Sequence, residues 1–273
     1  MIRVSIENDN NEFVLYDNSN GTILRSFEGF EYPTSKNVIE DLPARDGSLY
    51  IDSKLRRRRL SVQGDLLGDS VFTLRRNLIT PLTAGELLTL KFTTYDDLEL
   101  QTSVVVDNLV MPYTHQIHRY LLEMIAPDFR FYSQELLSQS TEITSTPGGT
   151  PVSAAVPAPV GGGSSLNYLI ENLGNYNTLP IFEITGPGTD FNIQNLTNGQ
   201  SFNLNLTIAS GHTVTIDTQN KSVTRSTTNL FGSFDGDFIQ LSPGNNILTF
   251  NALSGTDSNT QLTTKYRHAY LGV

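Results

Sequence analysis

Four consecutive arginines, Arg56-Arg57-Arg58-Arg59, are the densest group of ionisable side chains in this sequence. Planar guanidinium groups in such a run suit phosphate or carboxylate partners. One reading is a nucleic-acid or nuclear-targeting patch. The other is a strand end whose arginines pair with carboxylates of the same or a neighbouring subunit. A formal net charge of −10 favours the second reading. The run lies between Leu55 and Leu60 in a predicted strand. Alternation therefore puts Arg56 and Arg58 on the side continuing to Leu60 and Val62, with Arg57 and Arg59 opposite. The four arginines are thus a candidate charge cluster at a subunit interface.

Other chemistry is harder to assemble. No Gly-x-Ser-x-Gly elbow is present, and the four histidines, His115, His118, His212 and His268, follow no pattern that ties them to a serine and an acid. His115 and His118 stand three apart on a predicted strand and face opposite sides. Asp235-Gly236-Asp237 offers clustered oxygens but lacks the ligand spacing and terminal Glu of a calcium loop. An Asp-Gly hairpin turn between Phe234 and Phe238 is the simpler account. With no cysteine there is no disulfide, thiolate metal site or thiol nucleophile. No pair of carboxylates stands out for sugar hydrolysis. Stacking of sugars is disfavoured by the absence of Trp, although 11 Tyr and 14 Phe remain. We expect no catalytic, cofactor-binding or metal-binding residues.

The elements that would position such groups read as mainly β. At 273 residues, two domains are the natural expectation. Hydrophobic residues make up 38% and charged ones 17%, so Ser, Thr, Asn and Gln supply much of the polarity, as on sheet surfaces and turns. The N-terminus lacks the apolar stretch of a signal peptide and no segment is long and apolar enough to span a bilayer. Synthesis and folding in a cytoplasm, without membrane insertion, is the expectation, and the sequons at Asn195, Asn205 and Asn220 then read as ordinary strand and turn chemistry.

Phe13–Tyr16 and Thr22–Phe27 flank Asn18-Ser19-Asn20-Gly21, which predicts a hairpin. A strand region follows over Ser48–Leu67. One short helix is expected after Asp69 or Ser70 as cap, with Val71, Leu74 and Leu78 on one face and Pro81 as its stop. Leu87–Thr94 and Leu98–Val106 predict a hairpin about Tyr95-Asp96-Asp97, and Gln116–Met124 another strand. Beyond Tyr132 a first strand of a second domain is expected over Glu135–Thr144. The Gly/Pro/Ser/Ala-rich stretch at 146–165 is then a long loop inside that domain. Short strands follow at Tyr168–Asn172, Pro180–Thr185, Asp190–Asn195, Ser201–Ile208, Thr213–Asp217, Ser222–Arg225, Asp237–Leu241 and Asn246–Ala252, a density that predicts a β-sandwich. A last strand, 265–273, is open to either domain.

These phrases, in order, resemble the siphophage distal tail protein family over nearly the whole chain. In the first half the likeness lies in Leu49-Tyr50-Ile51, Arg59 to Asp65 and Ala126 to Tyr132. The more specific part is Ile170-Glu171-Asn172-Leu173-Gly174-Asn175-Tyr176-Asn177-Thr178-Leu179-Pro180 on to Gly186, then Val214–Asp217, then Leu241-Ser242-Pro243-Gly244-Asn245-Asn246. The resemblance implies a ring-forming N-terminal domain over 1–132, β-barrel-like with one short α-helix, and a galectin-like β-sandwich over 133–264. It implies a homohexameric ring at the virion tail tip that joins the tail tube protein to the tail-tip hub and supports a receptor-binding protein. DNA would be in transit through that ring. A carbohydrate-binding adsorption module for host cell-wall polysaccharide is the alternative, and a wall-degrading hydrolase is a third class. The second domain has no large insertion that could add a separate sugar-binding module.

Overall fold

The computed structural model describes residues 3–16, 21–43, 45–67, 71–82, 85–112, 118–143 and 166–272. It divides into two units, Met1–Gln134 with Tyr270–Val273, and Glu135–Ala269. The segment expected to be one last strand is thus split. Gln261–Tyr266 stays with the second unit, while Tyr270–Val273 groups with the first.

The first unit contains β1 (Arg3–Glu7), β2 (Glu12–Tyr16), β3 (Thr22–Glu28), β4 (Ser35–Asp41), β5 (Ser48–Leu55), β6 (Arg58–Leu66), α1 (Val71–Ile79), β7 (Leu88–Thr93), β8 (Glu99–Val110), β9 (His118–Ala126) and β10 (Phe131–Ser133). Its main antiparallel sheet runs β2-β1-β7-β8-β9-β6-β3, with β10 added on β8. The end strands β2 and β3 approach each other, so the sheet curls toward an open barrel. Period-two alternation explains which side faces in: Leu60 and Val62 of β6, Tyr120, Leu122 and Met124 of β9, and Leu88, Leu90 and Phe92 of β7 are all buried. Each fully buried Leu or Phe contributes about 1.5–3 kcal/mol relative to exposure. Helix α1 joins this core through Val71, Leu78 and the half-buried Leu74, and ends before Pro81. The expected caps Asp69 and Ser70 lie outside the described residues.

Two expectations about pairing are corrected. Phe13–Tyr16 and Thr22–Phe27 do not form a hairpin with each other. Strand β2 pairs with β1 and β3 with β6, because the apolar faces of both strands find partners distant in sequence. Residues Asn18 to Asn20 of the expected turn lie outside the described residues. The strand region Ser48–Leu67 is also interrupted, at Arg56-Arg57, into β5 and β6, and β5 pairs with β4, a strand not expected from sequence.

The second unit contains β11 (Leu137–Glu142), β12 (Leu166–Asn172), β13 (Ile181–Thr185), β14 (Gly188–Asn195), β15 (Ser201–Ile208), β16 (Thr213–Asp217), β17 (Ser222–Arg225), β18 (Thr228–Asn229), β19 (Phe234–Gly236), β20 (Gly244–Ser254) and β21 (Gln261–Tyr266). Two antiparallel sheets, β11-β21-β13-β16-β17-β18 and β12-β20-β14-β15-β19, enclose one apolar core. Phe182, Ile184, Val214 and Ile216 enter from the first sheet, and Phe191, Ile193, Phe202, Leu204, Leu248 and Phe250 from the second. The Gly/Pro-rich stretch 146–165 lies outside the described residues. Asp237–Leu241 is not a strand. The edge strand is instead Phe234–Gly236, paired with Phe202–Leu204. Asp235-Gly236 is therefore not a turn between two strands. Gly236 ends the edge strand at φ 117°, where a Cβ would lie 2.5 Å from the Ser201 carbonyl oxygen.

Candidate interaction surfaces

The arginine run divides sharply. Arg58 is 2% exposed and lies on the inward side with Leu60 and Val62, as alternation requires. Its guanidinium donates to the carbonyls of Phe129 (2.8 and 3.2 Å) and Gly29 (2.8 Å), and also to those of Glu31 and Leu271. The Phe131 ring lies 4.3 Å beneath it. Burial lowers its pKa to about 10 against the opposing influence of the Glu31 and Asp128 charges, so it stays protonated at neutral pH. Arg58 thus ties three backbone segments together inside the first unit. Carbonyls, not carboxylates, are its partners. Among the described residues no ion pair joins any of the four arginines, which corrects the expected carboxylate pairing within the chain. Arg56 also leaves the expected face. Its N–H bonds the Thr34 carbonyl at 2.9 Å where the chain passes from β5 to β6, and it is exposed together with Arg57 and Arg59.

The remaining candidates are not brought together. His118 is buried, edge-on to Phe72 with ring centroids 5.1 Å apart. In the second unit, His268 accepts the Leu173 N–H at Nδ1 (3.1 Å), and burial lowers its pKa against the charges of Glu135 and Glu171. His212 is exposed in a turn, and His115 lies outside the described residues. Among the described residues no group of three His, Cys, Asp or Glu could hold a metal ion. One charged centre joins residues too distant in the chain for the sequence to signal it. Asp65, nearly buried, meets Arg25 at 2.6 Å and Arg119 at 3.5 Å, and the Arg25 bond holds its carboxyl below the usual range. Arg119 is its register partner on β9, so the pairing bridges β3, β6 and β9. Two hollows in the first unit are polar. One of about 200 Å³ holds the Arg3–Glu12 pair (3.0 Å), and one of about 270 Å³ is edged by Glu28, Arg59, Asp107 and Glu123.

A different surface stands out. Strands β4 and β5 form a two-stranded sheet of their own, and all their residues are exposed except the half-buried Leu55. Val38, Ile39, Leu49, Tyr50 and Ile51 are 38–60% exposed, and Ile39 is the register partner of Tyr50. Lys36 and Lys54 stand directly opposite each other, and among the described residues Asp52 is the one carboxylate paired with Lys54, at 3.8 Å. A two-stranded hairpin is marginal by itself in water, like charges directly opposed weaken it further, and clustered exposed apolar residues mark interaction surfaces. This hairpin has the features of an arm that is completed by contact.

In the second unit the specific phrases of the sequence act as fasteners. Asn172, fully buried, donates to the carbonyls of Tyr176 (2.8 Å) and Leu241 (3.2 Å) and accepts the Gly174 N–H (3.1 Å). Buried Asn246 accepts from the Ser242 N–H (2.9 Å) and Asn195 Nδ2 (3.1 Å), and donates to the carbonyls of Ser242 (2.8 Å) and Gly244 (3.1 Å). Thr178 donates to the Arg267 carbonyl at 2.6 Å. At Gly174 a Cβ would lie 1.9 Å from the Ala269 carbonyl oxygen, so no larger residue fits. These residues hold loops to the ends of the two sheets.

Residues 173–270 match the family described as siphovirus-type tail component, C-terminal domain. Solved structures with the same fold include the SPP1 Dit (gp 19.1) protein, described as a paradigm of the hub adsorption apparatus in phages infecting Gram-positive bacteria. It is 14% identical with a TM-score of 0.63, over 96% of this chain and 98% of that one. A chain of the phage P2 baseplate in its activated conformation with Ca is 10% identical with a TM-score of 0.53, over 98% of both chains. The same baseplate with Sr gives 11% identity and a TM-score of 0.54, again over 98% of both. No curated protein matches. The likeness to these structures is one of fold, and it extends through both units.

Proposed function

From the premise that residues 173–270 belong to the siphovirus-type tail component family, we propose that this chain is a non-catalytic, cofactor-free structural protein of a phage tail tip that closes into a homohexameric ring. The ring joins the tail tube protein to the tail-tip hub and supports the adsorption apparatus, including a receptor-binding protein, while DNA passes through it. The protein is made in the cytoplasm of the host bacterium and ends in the virion.

The observation that carries this reading is the β4–β5 hairpin, with its exposed apolar residues and its opposed lysines. Head-to-tail contacts between identical subunits form a closed ring when the rotation closes, and each such contact pairs one surface with a different surface on the next copy. A hairpin that forms its own sheet and adds no residue to the core of its unit is suited to that geometry. The neighbours of the same fold come from hub and baseplate assemblies, which supports the same role here. The net charge of −10 is compatible with a channel that does not retain DNA.

The test is the mass and image of the purified chain. A six-fold particle with a central opening is expected, and Ile39→Lys with Tyr50→Lys should reduce it to monomer. A chain that stays monomeric at high concentration and forms no ring with tail neighbours refutes the proposal.

A further inference from the structure

The outward face of the β12-β20-β14-β15-β19 sheet carries rows of amides in register across the strands. Asn251 pairs with Asn192, Asn192 with Asn203, and Asn203 with Asp235, so that one row crosses four strands. Asn167, Thr249, Gln194 and Ser201 form a second row beside it. Register partners in antiparallel strands point to the same side, and their buried neighbours Phe191, Ile193, Phe202, Leu204 and Phe250 fix the amides on the outer side. Next along the strands comes an apolar strip, in which Leu169 is the partner of Ile247, and the Leu196 N–H bonds the Ile247 carbonyl. These three are 43–53% exposed.

The opposite sheet makes the contrast. Its outward hydroxyls bond one another, Ser140 with Thr263 and Thr185 with Thr213, both at 2.9 Å, as Thr189 and Thr207 do at the end of the amide-bearing sheet, and Lys265 is paired to Glu183 at 2.6 Å. In the amide rows Asn192 reaches Asn203 at 2.8 Å, whereas among the described residues Asn251, Gln194, Asn167 and Asp235 have no side-chain partner. Each free amide offers both a donor and an acceptor, which a sugar hydroxyl can meet in kind. The five strands contain no Lys, Arg or His, so nothing on them would attract a phosphate or a uronate, and the nearby carboxylates would repel one. Strand spacing of about 4.8 Å gives the four-strand row a reach of roughly 14 Å, enough for a short run of sugar rings laid across the strands.

We propose that this face binds a neutral oligosaccharide, its hydroxyls on the Asn251–Asn192–Asn203–Asp235 row and its apolar ring faces on the Leu169–Ile247–Leu196 strip. The proposal goes beyond the ring and does not depend on it.

The test uses the full chain on an array of neutral and anionic oligosaccharides, followed by titration calorimetry with maltohexaose, cellohexaose and, as charged control, hexagalacturonate. Binding to a neutral glycan is expected, weakened at least ten-fold by Asn203→Ala with Asn251→Ala and unchanged by Thr215→Ala on the other sheet. Asn203→Asp, which keeps the shape and replaces the amide donor, should weaken it as well. An array on which no neutral glycan binds overturns the proposal, as does a preference for uronate or binding indifferent to the Asn203 and Asn251 substitutions. Particle mass measured on the same samples reports separately on the ring.

Discussion

Replacing Arg58 with Met keeps most of the apolar stem and removes every N–H donor. Four carbonyls, of Gly29, Glu31, Phe129 and Leu271, then lose the partner that compensated their burial. A buried acceptor left unsatisfied costs about 1–3 kcal/mol. All four carbonyls lie in connecting segments outside the regular strands, so about half of them can turn toward water once the guanidinium is gone. Two acceptors left unsatisfied correspond to a net loss of about 2–6 kcal/mol. For a unit of this size that corresponds to roughly 6–18 °C in Tm, from about 3 °C per kcal/mol. Arg58→Lys should recover less than half of the loss, because a single ammonium cannot span acceptors that a planar fork reaches on two sides. Differential scanning calorimetry of the full chain, beside Arg57→Met as an exposed control, reads the effect. A shift for Arg58→Met of less than about 3 °C, or one equal to that of Arg57→Met, would refute the reasoning that the buried guanidinium holds these segments.

Further outcomes can be measured in the same way. Gly174→Ala should lower the melting temperature of the second unit strongly, since its Cβ would lie 1.9 Å from a backbone oxygen, while Gly199→Ala, which meets nothing within 4 Å but has φ 77°, should cost about 1 kcal/mol. Asn246→Asp turns a donor aimed at two carbonyls into a like-signed acceptor and should destabilise by about 2–4 kcal/mol in urea titrations, with no change of m-value. Protonation of His268 destroys the acceptor for the Leu173 N–H, and its folded pKa lies below the unfolded value. The unfolded chain therefore binds more protons, and stability should fall as pH drops from about 6.5 toward the folded pKa. His268→Gln should flatten that dependence in melts across pH 5–8. For Asp65 the carboxyl pKa is depressed, so its contribution is present above about 3.9 and lost as pH falls through the folded value.

The sequence by itself determined the class of the protein. Period-two apolar runs such as Leu60–Val62 and Phe202–Leu204 mark strands because side chains alternate faces, and Val71, Leu74 and Leu78 mark the helix because they recur at helical spacing. The phrases from Ile170 to Gly186 and from Leu241 to Asn246 were legible as a family resemblance, whereas the fastening roles of Asn172 and Asn246 depend on partners that only the tertiary structure brings to them. Tertiary structure decided the pairing, since one strand of the right pattern fits several partners: β2 went to β1 and β3 to β6, against the local turn signal. It decided which arginine mattered, because a run of four identical side chains does not reveal that only Arg58 is surrounded by carbonyls. It also exposed the β4–β5 arm and the amide rows, since register across strands distant in the chain is set by packing of the core. Local pattern chooses the element, and long-range burial of apolar faces chooses its neighbours.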